Sequence, residues 1–300
     1  MKIALTGSSG FIGKNLNKHL FYNNWSVKSI SRENLSSKYL TLPDEIDVVI
    51  HLAGKTHDQK EISNSDEYYR VNTDLTKVIF DAFLDSGAKV FITLSSVKAV
   101  ADEVQGVLTE ENLPNPITHY GKSKLLAEKY VLSKGIPEGK RVYILRPCMI
   151  HGPGNKGNLN LLYKIASKGI PWPLGSFENR RSFCSLENLL FVLMELMERK
   201  DIPSGIYNVA DDFPLSTNEV FSILAESQNR KPIIWNISKG LIKFIAKFGN
   251  VLKLPLNEER LQKLTDSYIV SNKKIITAFG KKFPVYSKEG LMKTFQSFQN

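Results

Sequence analysis

The sequence predicts an α/β protein with a doubly wound parallel sheet and a smaller C-terminal domain. Up to residue 147, short apolar runs alternate with segments whose apolar residues recur at helical spacing. The runs lack the polar alternation of a half-exposed strand, which is typical of parallel strands covered by helices on both faces. Beyond residue 152 the pattern changes, because Gly and Pro cluster between Gly152 and Gly175. We therefore predict a first domain over residues 1–152 and a second over 153–300.

The chain opens with an apolar strand, a glycine-rich turn and a helix. The strand is the apolar run from Ile3 to Leu5. The apolar residues of the helix recur every four positions, as on one helix face: Ile12, Leu16 and Leu20. Between strand and helix stand three evenly spaced glycines: Gly7, Gly10 and Gly13. A strand, a glycine turn and a helix in this order predict a dinucleotide-binding unit.

Each residue of this turn has a physical role in such a unit. Gly7 permits the tight turn, Gly10 lets the backbone approach a pyrophosphate, and Gly13 lets the helix lie close to the strand. The first helical turn, with Phe11 and Ile12, offers free N–H groups and the positive end of the helix dipole to phosphate. We predict that these five residues contact the cofactor.

The other elements before residue 147 follow from the same periodicities. The predicted strands cover 25–30, 48–52, 90–94 and 141–146, the last stopped by Pro147. The predicted helices cover 75–83 and about 120–132, and the polar stretch 55–65 is predicted as a loop. In the second domain we predict a helix over 187–199 that packs back on the first domain, and a strand over 206–209. Ser216 and Glu219 form a capping-box pattern, which predicts a helix start.

Composition and charge limit the classes of function. The 300 residues are 42% hydrophobic and 23% charged, as in ordinary globular proteins. A net charge of +10 suits anionic ligands such as dinucleotides and nucleotide sugars, and no Lys/Arg block is long enough to favour nucleic acid. No signal peptide precedes the first strand, and no apolar run reaches about 18 residues. Cys148 and Cys184 make no disulfide framework, so we expect a cytoplasmic protein without an integral membrane segment or a metal site.

Tyr120 and Lys124 are the strongest catalytic candidates. Positions i and i+4 lie on one helix face, so both side chains point the same way. A tyrosine near its reference pKa of about 10 is a poor base at neutral pH. We expect the Lys124 ammonium and a positively charged nicotinamide ring to lower the pKa of Tyr120, which then exchanges a proton with a sugar hydroxyl or carbonyl. Ser96, after the predicted strand 90–94, is placed to hold the reacting oxygen.

Tyr130 and Lys134 repeat the Tyr-x-x-x-Lys spacing. In a lysine-rich chain with 11 tyrosines, one such match is expected by chance. A serine pair stands 24 residues before Tyr120 at the end of a predicted strand, which favours Tyr120 as the catalytic residue. We interpret Tyr130 as a structural helix residue.

Several motifs, taken together, resemble the extended short-chain dehydrogenase/reductases, the NAD-dependent epimerase/dehydratase family. They are the glycine turn, His51-Leu52-Ala53-Gly54, Asn72-Thr73, Ser95-Ser96, Tyr120 with Lys124, Arg146-Pro147 and His151-Gly152-Pro153. The resemblance continues to Ser271-Asn272-Lys273-Lys274 and Phe279-Gly280. It implies a Rossmann-like sheet, a nicotinamide cofactor, a UDP-sugar substrate, and a homodimer formed by the segments 72–83 and 120–132.

The resemblance also assigns further residues. Besides Tyr120 and Lys124, it implies four cofactor contacts: Leu52, Ala53, Gly54 and Asn72. Family members often carry Tyr-Gly after the serine pair, and this chain does not, so we assign the catalytic role to Ser96 and keep Ser95 as the alternative. Arg181 is implied to bind the substrate diphosphate, which suits the planar donor fork of a guanidinium. Asn158 and Arg260 are further candidates for substrate contacts.

Ser31 and Arg32 bear on the choice of cofactor. Enzymes that prefer NAD usually place an acid after the second strand, where it bonds the ribose hydroxyls. This chain has Ser31-Arg32 at that point, with Glu33 one residue later. Arg32 suits a 2′-phosphate, so we expect NADP(H) to be favoured over NAD(H).

Three functions remain open on these motifs. The segments Pro171-Trp172-Pro173-Leu174-Gly175 and Asn179-Arg180-Arg181-Ser182 resemble bacterial enzymes that reduce UDP-4-keto-6-deoxy-N-acetylhexosamine, and Ser95-Ser96-Val97-Lys98 points the same way. We therefore favour a nucleotide-sugar 4-ketoreductase of surface polysaccharide synthesis. The alternative is a UDP-glucose or UDP-N-acetylglucosamine 4-epimerase. A non-catalytic NADP-binding sensor is the third, although a sensor is expected to lack the Tyr/Lys pair or the serine.

A late stretch is both apolar and lysine-rich. One helix face would carry Leu241, Phe244, Ile245, Phe248, Val251 and Leu252, with Lys239, Lys243, Lys247 and Lys253 nearby. Such a helix either lies on a membrane surface or packs in a domain while its lysines extend to solvent. We favour the packed helix.

Overall fold

A computed structural model describes residues 1–36, 40–56, 65–154, 159–252 and 257–299. Its strands are β1 (Lys2–Thr6), β2 (Ser26–Ile30), β3 (Val48–His51), β4 (Val90–Leu94), β5 (Val107–Leu108), β6 (Arg141–Pro147), β7 (Met149–His151), β8 (Phe183–Ser185), β9 (Gly205–Val209) and β10 (Ile269–Val270). Six of them form the central sheet in the order β2-β1-β3-β4-β6-β9, and every neighbouring pair is parallel. Two small pairs, β5 with β10 and β7 with β8, lie outside it.

The described α-helices are α1 (Phe11–Tyr22), α2 (Arg32–Ser36), α3 (Ser65–Tyr68), α4 (Leu75–Leu84), α5 (His119–Ser133), α6 (Leu159–Ser167), α7 (Leu186–Glu198), α8 (Thr217–Ser227), α9 (Lys239–Leu252), α10 (Glu258–Thr265), α11 (Lys273–Phe279) and α12 (Ser287–Gln296). A π-helical turn, Tyr69–Asp74, leads into α4, and a 3-10 turn, Val97–Ala99, follows β4. No described helix combines the length and the apolar character needed to cross a bilayer.

The predicted fold class is confirmed, because all six central strands lie where apolar runs predict them and all are parallel. β6 ends at Pro147, one residue later than predicted. Pro147 pairs with Val209, and the next N–H, that of Cys148, donates to the Val209 carbonyl at 3.1 Å. Proline lacks only the donor, so it is tolerated where the following residue supplies one. Of the predicted loop 55–65, residues 57–64 lie outside the described residues.

Two predictions for the second half have different outcomes. The capping box is confirmed, since Ser216 Oγ accepts from the Glu219 N–H at 3.1 Å and the Glu219 carboxylate accepts from the Ser216 N–H at 2.7 Å. The packed face predicted over 241–252 is wrong for four large side chains: Leu241, Phe244, Ile245 and Phe248 are exposed. Among the α9 residues whose burial is described, Ile242 and Ala246 pack into the C-terminal core.

The inner strands β1, β3, β4 and β6 are buried on both faces, because alternate residues enter different cores, whereas the edge strand β2 is largely exposed. Ile3 of β1 packs with Leu16 of α1 and with the buried face of α7 on one side of the sheet. Ala4 packs on the other side with Phe83 of α4 and Val131 of α5. This double burial explains why the strand appears in the sequence as a continuous apolar run.

Elements from beyond residue 152 complete this first core. β9 is the sixth strand of the central sheet, and α7 packs back on that sheet as the sequence predicts. A separate apolar cluster, which includes Trp172, Phe221, Leu261 and Phe295, forms the core of the remaining C-terminal part. Because the chain returns to the sheet after residue 152, the division there stays a prediction.

The topology places the predicted site at one edge of the sheet. The chain passes from β1 to β2 on one side and then to β3 on the other, so the strand order reverses beside β1. Ligands of open α/β sheets bind in the crevice that forms there, outside the carboxyl ends of the strands. The glycine turn, Ser31, Leu52 and Ser96 follow β1, β2, β3 and β4 within two residues.

Candidate active site

The glycine turn after β1 is a backbone cradle. Gly7 has a φ of +71°, and a Cβ there would lie 2.6 Å from the backbone nitrogen of Ala53. A Cβ on Gly13 would overlap the carbonyl oxygen of Gly7, so only glycine fits at both positions. α1 begins after Gly10 without a side-chain cap or an acid in its first turn, which includes Phe11. The donors of that turn therefore suit an anionic ligand, and the cradle fits a dinucleotide pyrophosphate.

A buried hydrogen-bond chain holds the segment after β3 against this cradle. The Ala53 N–H donates to Thr6 Oγ1 at 3.1 Å, and Thr6 Oγ1 lies 2.7 Å from His51 Nδ1. On the other side of the ring, Nε2 lies 3.0 Å from Thr76 Oγ1, whose own proton goes to the Asn72 carbonyl. Nε2 therefore carries the ring proton and Nδ1 accepts. Burial lowers the pKa of His51 to about 3, so the ring is neutral at physiological pH.

Asn72 joins this segment to α5. Its Oδ1 accepts from the Lys55 N–H at 2.8 Å, and its Nδ2 donates to Ser123 Oγ at 3.0 Å. A Cβ on Gly54 would lie 3.0 Å from Lys124 Nζ and 3.2 Å from Asn72 Oδ1. The structure thus brings three of the predicted cofactor contacts, Gly54, Asn72 and Lys124, to one place.

Ser96 and Tyr120 meet through a hydrogen bond between their hydroxyl groups. The two are brought together because α5 approaches the 3-10 turn closely at Gly121, where a Cβ would overlap the carbonyl oxygen of Lys98. The Asp102 carboxylate fixes the start of α5, since it accepts from two backbone N–H groups just before the helix at 2.6 and 3.1 Å.

The pKa of Tyr120 lies above its ordinary value, because burial disfavours the phenolate more than the Ser96 hydroxyl stabilises it. The lowering predicted from the Lys124 ammonium is therefore wrong for the protein alone. A lowering by a charged nicotinamide ring stays a prediction. The protonated phenol is the form that can give a proton to a substrate oxygen.

Lys124 is buried one helical turn after Tyr120, on the same face of α5. Burial lowers the pKa of its ammonium to about 8, against the opposing effect of the Glu128 carboxylate. Its Nζ donates to the Leu94 carbonyl at 2.9 Å. At neutral pH Lys124 is therefore mostly charged, and this charge stands next to the predicted cofactor residues.

The structure separates the roles of the two neighbouring serines. Ser95 donates to the Glu128 carboxylate, which also accepts from Arg146 Nε at 2.9 Å. This buried group ties β4, α5 and β6 together. Of the two serines, Ser96 is the one that bonds to Tyr120, so the geometry favours Ser96 over the alternative Ser95.

Tyr130 occupies a different environment from Tyr120. Its phenol donates to the Asp81 carboxylate at 2.6 and 2.8 Å, and Lys134 Nζ lies 3.3 Å from the same carboxylate. These contacts join α5 to α4 on the side away from the sheet edge that carries the site. Tyr130 and Lys134 are therefore a structural pair.

Ser31 and Arg32 lie exposed after β2, at the same edge as the cradle. Arg32 is the first residue of α2, and Glu33 follows it. The hydrogen bond and the charge of Lys55 lower the pKa of Glu67 in α3, and the charges of Arg70 and Arg32 add smaller effects in the same direction.

Arg181 comes from the second half of the chain and is held by its backbone between Leu215 and Tyr268. Its guanidinium donates to the carbonyl of Lys263 in α10. Arg260, exposed in the same helix, is a second candidate phosphate contact, and that role stays a prediction. Asn158 lies outside the described residues.

Lys98 is a site residue that the sequence reasoning did not assign to any contact. Its Nζ donates to the Asp102 carbonyl at 2.6 Å and lies 4.4 Å from the centre of the Tyr268 ring. Burial lowers the pKa of Lys98, Asp102 opposes this, and the charge of Arg181 lowers it further. Within the described chain neither cation forms an ion pair with a carboxylate. Lys98 and Arg181 both adjoin Tyr268, and two half-buried cations in this arrangement make a place for an anion. In the sequence, the only signal for Lys98 was its position two residues after Ser96.

Comparison with known proteins identifies the family. Residues 3–210 match the model of the NAD dependent epimerase/dehydratase family. The chain belongs to this family. The resemblance stated from the motifs is thereby confirmed, and the protein is an NAD-dependent nucleotide-sugar enzyme of the epimerase/reductase kind.

Members of the epimerase/dehydratase family with different reactions are similar to it. A UDP-glucose 4-epimerase of Vibrio cholerae is 32% identical over 321 aligned positions, which cover 99% of this chain and 95% of that protein. A GDP-6-deoxy-D-mannose reductase of Pseudomonas aeruginosa is 26% identical over 245 positions, 75% of this chain and 79% of that one. The solved structure of MoeE5 with UDP-glucuronic acid and NAD shares the fold, with a TM-score of 0.75, 21% identity and coverage of 100% and 99%.

We expect Tyr120→Phe to lower turnover by roughly 10² to 10⁴, because the variant keeps the ring but loses the proton that the reaction needs. Cofactor affinity, measured by fluorescence titration, should change little. Tyr130→Phe is the matched control on the same helix and should turn over like the wild type. A Tyr120→Phe enzyme that retains more than about a tenth of the wild-type rate, well short of that range, would remove Tyr120 from proton transfer.

Proposed function

We propose that the protein reduces the C4 ketone of a UDP-4-keto-6-deoxy-N-acetylhexosamine in the synthesis of a bacterial surface polysaccharide. The observation that carries the proposal is the protonated Tyr120 hydroxyl, which is bonded to Ser96 and stands one helical turn before the buried Lys124. A ketone reduction needs a proton donor at the oxygen, and this arrangement provides one. The resemblance of residues 171–182 to such reductases, and the similarity to a nucleotide-sugar reductase, support the substrate class.

The residues of the site divide the work of such a reduction. A bound nicotinamide cofactor supplies the hydride for C4. Tyr120 gives its phenolic proton to the C4 oxygen as the ketone becomes an alcohol, and the Ser96 hydroxyl holds that oxygen. Lys124 stabilises the phenolate left on Tyr120, because its ammonium is charged below its pKa of about 8. The glycine cradle, Gly54 and Asn72 hold the cofactor.

Arg32 supports NADP(H) as the cofactor. It stands exposed after β2, where a 2′-phosphate would lie in a dinucleotide site, and the neighbouring Ser31 can add a hydroxyl contact. A reductase consumes one reduced cofactor in each turnover, so a preference for NADPH agrees with the proposed direction.

Lys98 and Arg181 support a substrate with a diphosphate. The two cations come from opposite halves of the chain, and burial is the main cause that lowers both of their pKa values. An anion bound between them would favour the charged form of each side chain and raise both pKa values again. We assign the UDP diphosphate to this place, with Arg260 and Asn158 as further contacts. Lys98 follows Ser96 by two residues, so the phosphate contact and the reacting oxygen are set by one short segment.

A UDP-sugar 4-epimerase is the second candidate. It is favoured by the 32% identity to the Vibrio cholerae UDP-glucose 4-epimerase along almost the whole chain. The same Ser96, Tyr120 and Lys124 would serve, since an epimerase moves a hydride and a proton at the same carbon and then returns them.

We also propose a cytoplasmic homodimer that forms through α4 and α5. On α5, Leu126 and Leu132 are 45% and 56% exposed, which leaves apolar surface for a partner helix to cover. Light scattering would then give twice the chain mass of 33.9 kDa, and a single-chain mass would contradict the dimer.

We expect Arg32→Ala to weaken NADPH binding roughly ten- to a hundredfold, because it removes a charge-assisted contact worth about 1.5 to 3 kcal/mol. NADH binding should stay nearly the same. Titration of the two cofactors against the wild type and the variant measures both effects. An equal loss for NADPH and NADH would show that Arg32 does not face the 2′-phosphate.

We expect Lys98→Met to raise the KM for the UDP-sugar roughly ten- to a hundredfold, since methionine keeps the length of the side chain but not the charge. The affinity for cofactor should not change. Lys122→Met, at an exposed position of α5, is the control. If both variants show the wild-type KM, the diphosphate lies elsewhere.

Two reactions run side by side decide between reductase and epimerase. One supplies NADPH and a UDP-4-keto-6-deoxy-N-acetylhexosamine, and follows loss of the reduced-cofactor absorbance. The other supplies UDP-glucose or UDP-N-acetylglucosamine with catalytic NAD, and looks for the C4 epimer. We expect stoichiometric NADPH loss and a 6-deoxy product. Epimer formation without net cofactor loss, and no reaction of the keto sugar, would refute the reductase and leave the epimerase.

A further inference from the structure

α9 leaves a broad part of its apolar surface in solvent. Ile242 and Ala246 are 2% and 0% exposed and pack into the C-terminal core. Four large apolar side chains are exposed by contrast: Leu241 at 51%, Phe244 at 59%, Ile245 at 40% and Phe248 at 51%. At about 100° per residue, these four cover roughly 100° of the helix circumference, centred roughly 130° from the buried pair. We call them the apolar stripe. The Phe244 and Phe248 rings contact each other, with centroids 4.7 Å apart.

The lysines of α9 lie on its remaining side. Lys239, Lys243 and Lys247 are exposed, and none of them pairs with a carboxylate among the residues described. The helix contains no Asp or Glu. At about 100° per residue the three lysines fall within roughly 80° of one another, between the buried pair and the apolar stripe. Lys247 lies nearest the stripe, roughly 60° from Phe244, and Lys239 lies nearest the buried pair. α9 therefore offers a stripe of large apolar groups and a separate set of cations.

We propose that α9 binds the surface of a lipid bilayer with anionic headgroups. The apolar stripe would enter the boundary between headgroups and acyl chains, and Lys247 and Lys243, the lysines nearer to the stripe, would extend toward the headgroups. An amphipathic helix with aromatic residues on one face and lysines on the other binds membranes in this way. Trp235, four residues before the helix, is 54% exposed, and tryptophan favours the same interfacial depth.

The charges of α9 favour an anionic bilayer over a second copy of the chain as the partner of the apolar stripe. A symmetric contact through the apolar stripe would bring two sets of unpaired lysines together, within a protein whose net charge is +10. An anionic surface instead compensates the same lysines. α9 is also connected to the candidate site through α10. It packs against α10, and the carbonyl of Lys263 in α10 accepts a hydrogen bond from Arg181. The membrane surface would thus stand one helix away from the proposed diphosphate contact.

Sedimentation of the full-length protein with vesicles tests this proposal without any substrate. The vesicles are phosphatidylcholine alone, or phosphatidylcholine with about 30% phosphatidylglycerol, at roughly 0.1 M salt. We expect binding to the anionic vesicles, weaker binding to the neutral ones, and release at high salt. Lys243→Gln/Lys247→Gln should weaken anionic binding about thirtyfold, since each lysine at such a surface contributes roughly fivefold. Phe244→Ser/Phe248→Ser should weaken it at least about tenfold.

Matched controls come from α1. Lys14→Gln/Lys18→Gln removes an exposed lysine pair at the same spacing, and Phe21→Ser/Tyr22→Ser removes two aromatic side chains that are 78% and 82% exposed. All these positions are exposed, so thermal melting should show intact folds. Failure of the wild type to sediment with anionic vesicles, or equal binding by the α9 and α1 variants, would overturn the proposal. So would an α9 variant that changes the mass in solution but not vesicle binding, which would indicate a protein contact.

Discussion

The close approach of α5 to the 3-10 turn after β4 is the constraint on which the whole site depends. Gly121 lies against the Lys98 carbonyl, and no other residue fits there. This contact delivers Tyr120 to the Ser96 hydroxyl and, one helical turn later, places Lys124 beside Gly54 and the π-helical turn. The parallel sheet supplies the other half of the constraint, because it brings the ends of β1, β3 and β4 to the same edge.

Buried charges around Lys124 are balanced within the fold. Lys124 and Arg146 are both buried cations, and Glu128 stands beside both, paired with Arg146 and four residues from Lys124 on α5. Breaking such a group by removing one partner leaves an uncompensated charge, which is costly in a protein interior. His51 stays neutral in the same neighbourhood, because burial and then the Lys124 charge oppose its protonation. Of these described groups, Lys124 is therefore the cation without a direct ion pair, and it stands one helical turn after Tyr120.

The charges of Lys98 and Arg181, at the proposed substrate contact, are not paired in this way. Lys98 and Arg181 are half-buried and near each other, and among the described residues neither forms a direct ion pair, although the charges of Asp102 and Asp266 partly offset theirs. A charge left unpaired at this depth is typical of a binding site rather than of a structural pair.

The sequence by itself determined the fold class, the six central strands and the glycine cradle, because these depend on local periodicity and on residues adjacent in the chain. It also singled out Ser96, Tyr120 and Lys124, since the i, i+4 spacing and the strand end are local features. Tertiary structure decided the rest. Burial raised the pKa of Tyr120, where the charge of Lys124 alone predicted a lowering, because desolvation depends on atoms from distant segments. Lys98 joined Arg181 only through the packing of two halves of the chain. The exposed stripe of α9 could not be predicted either, since periodicity shows that a helix face is apolar but not whether the fold covers it.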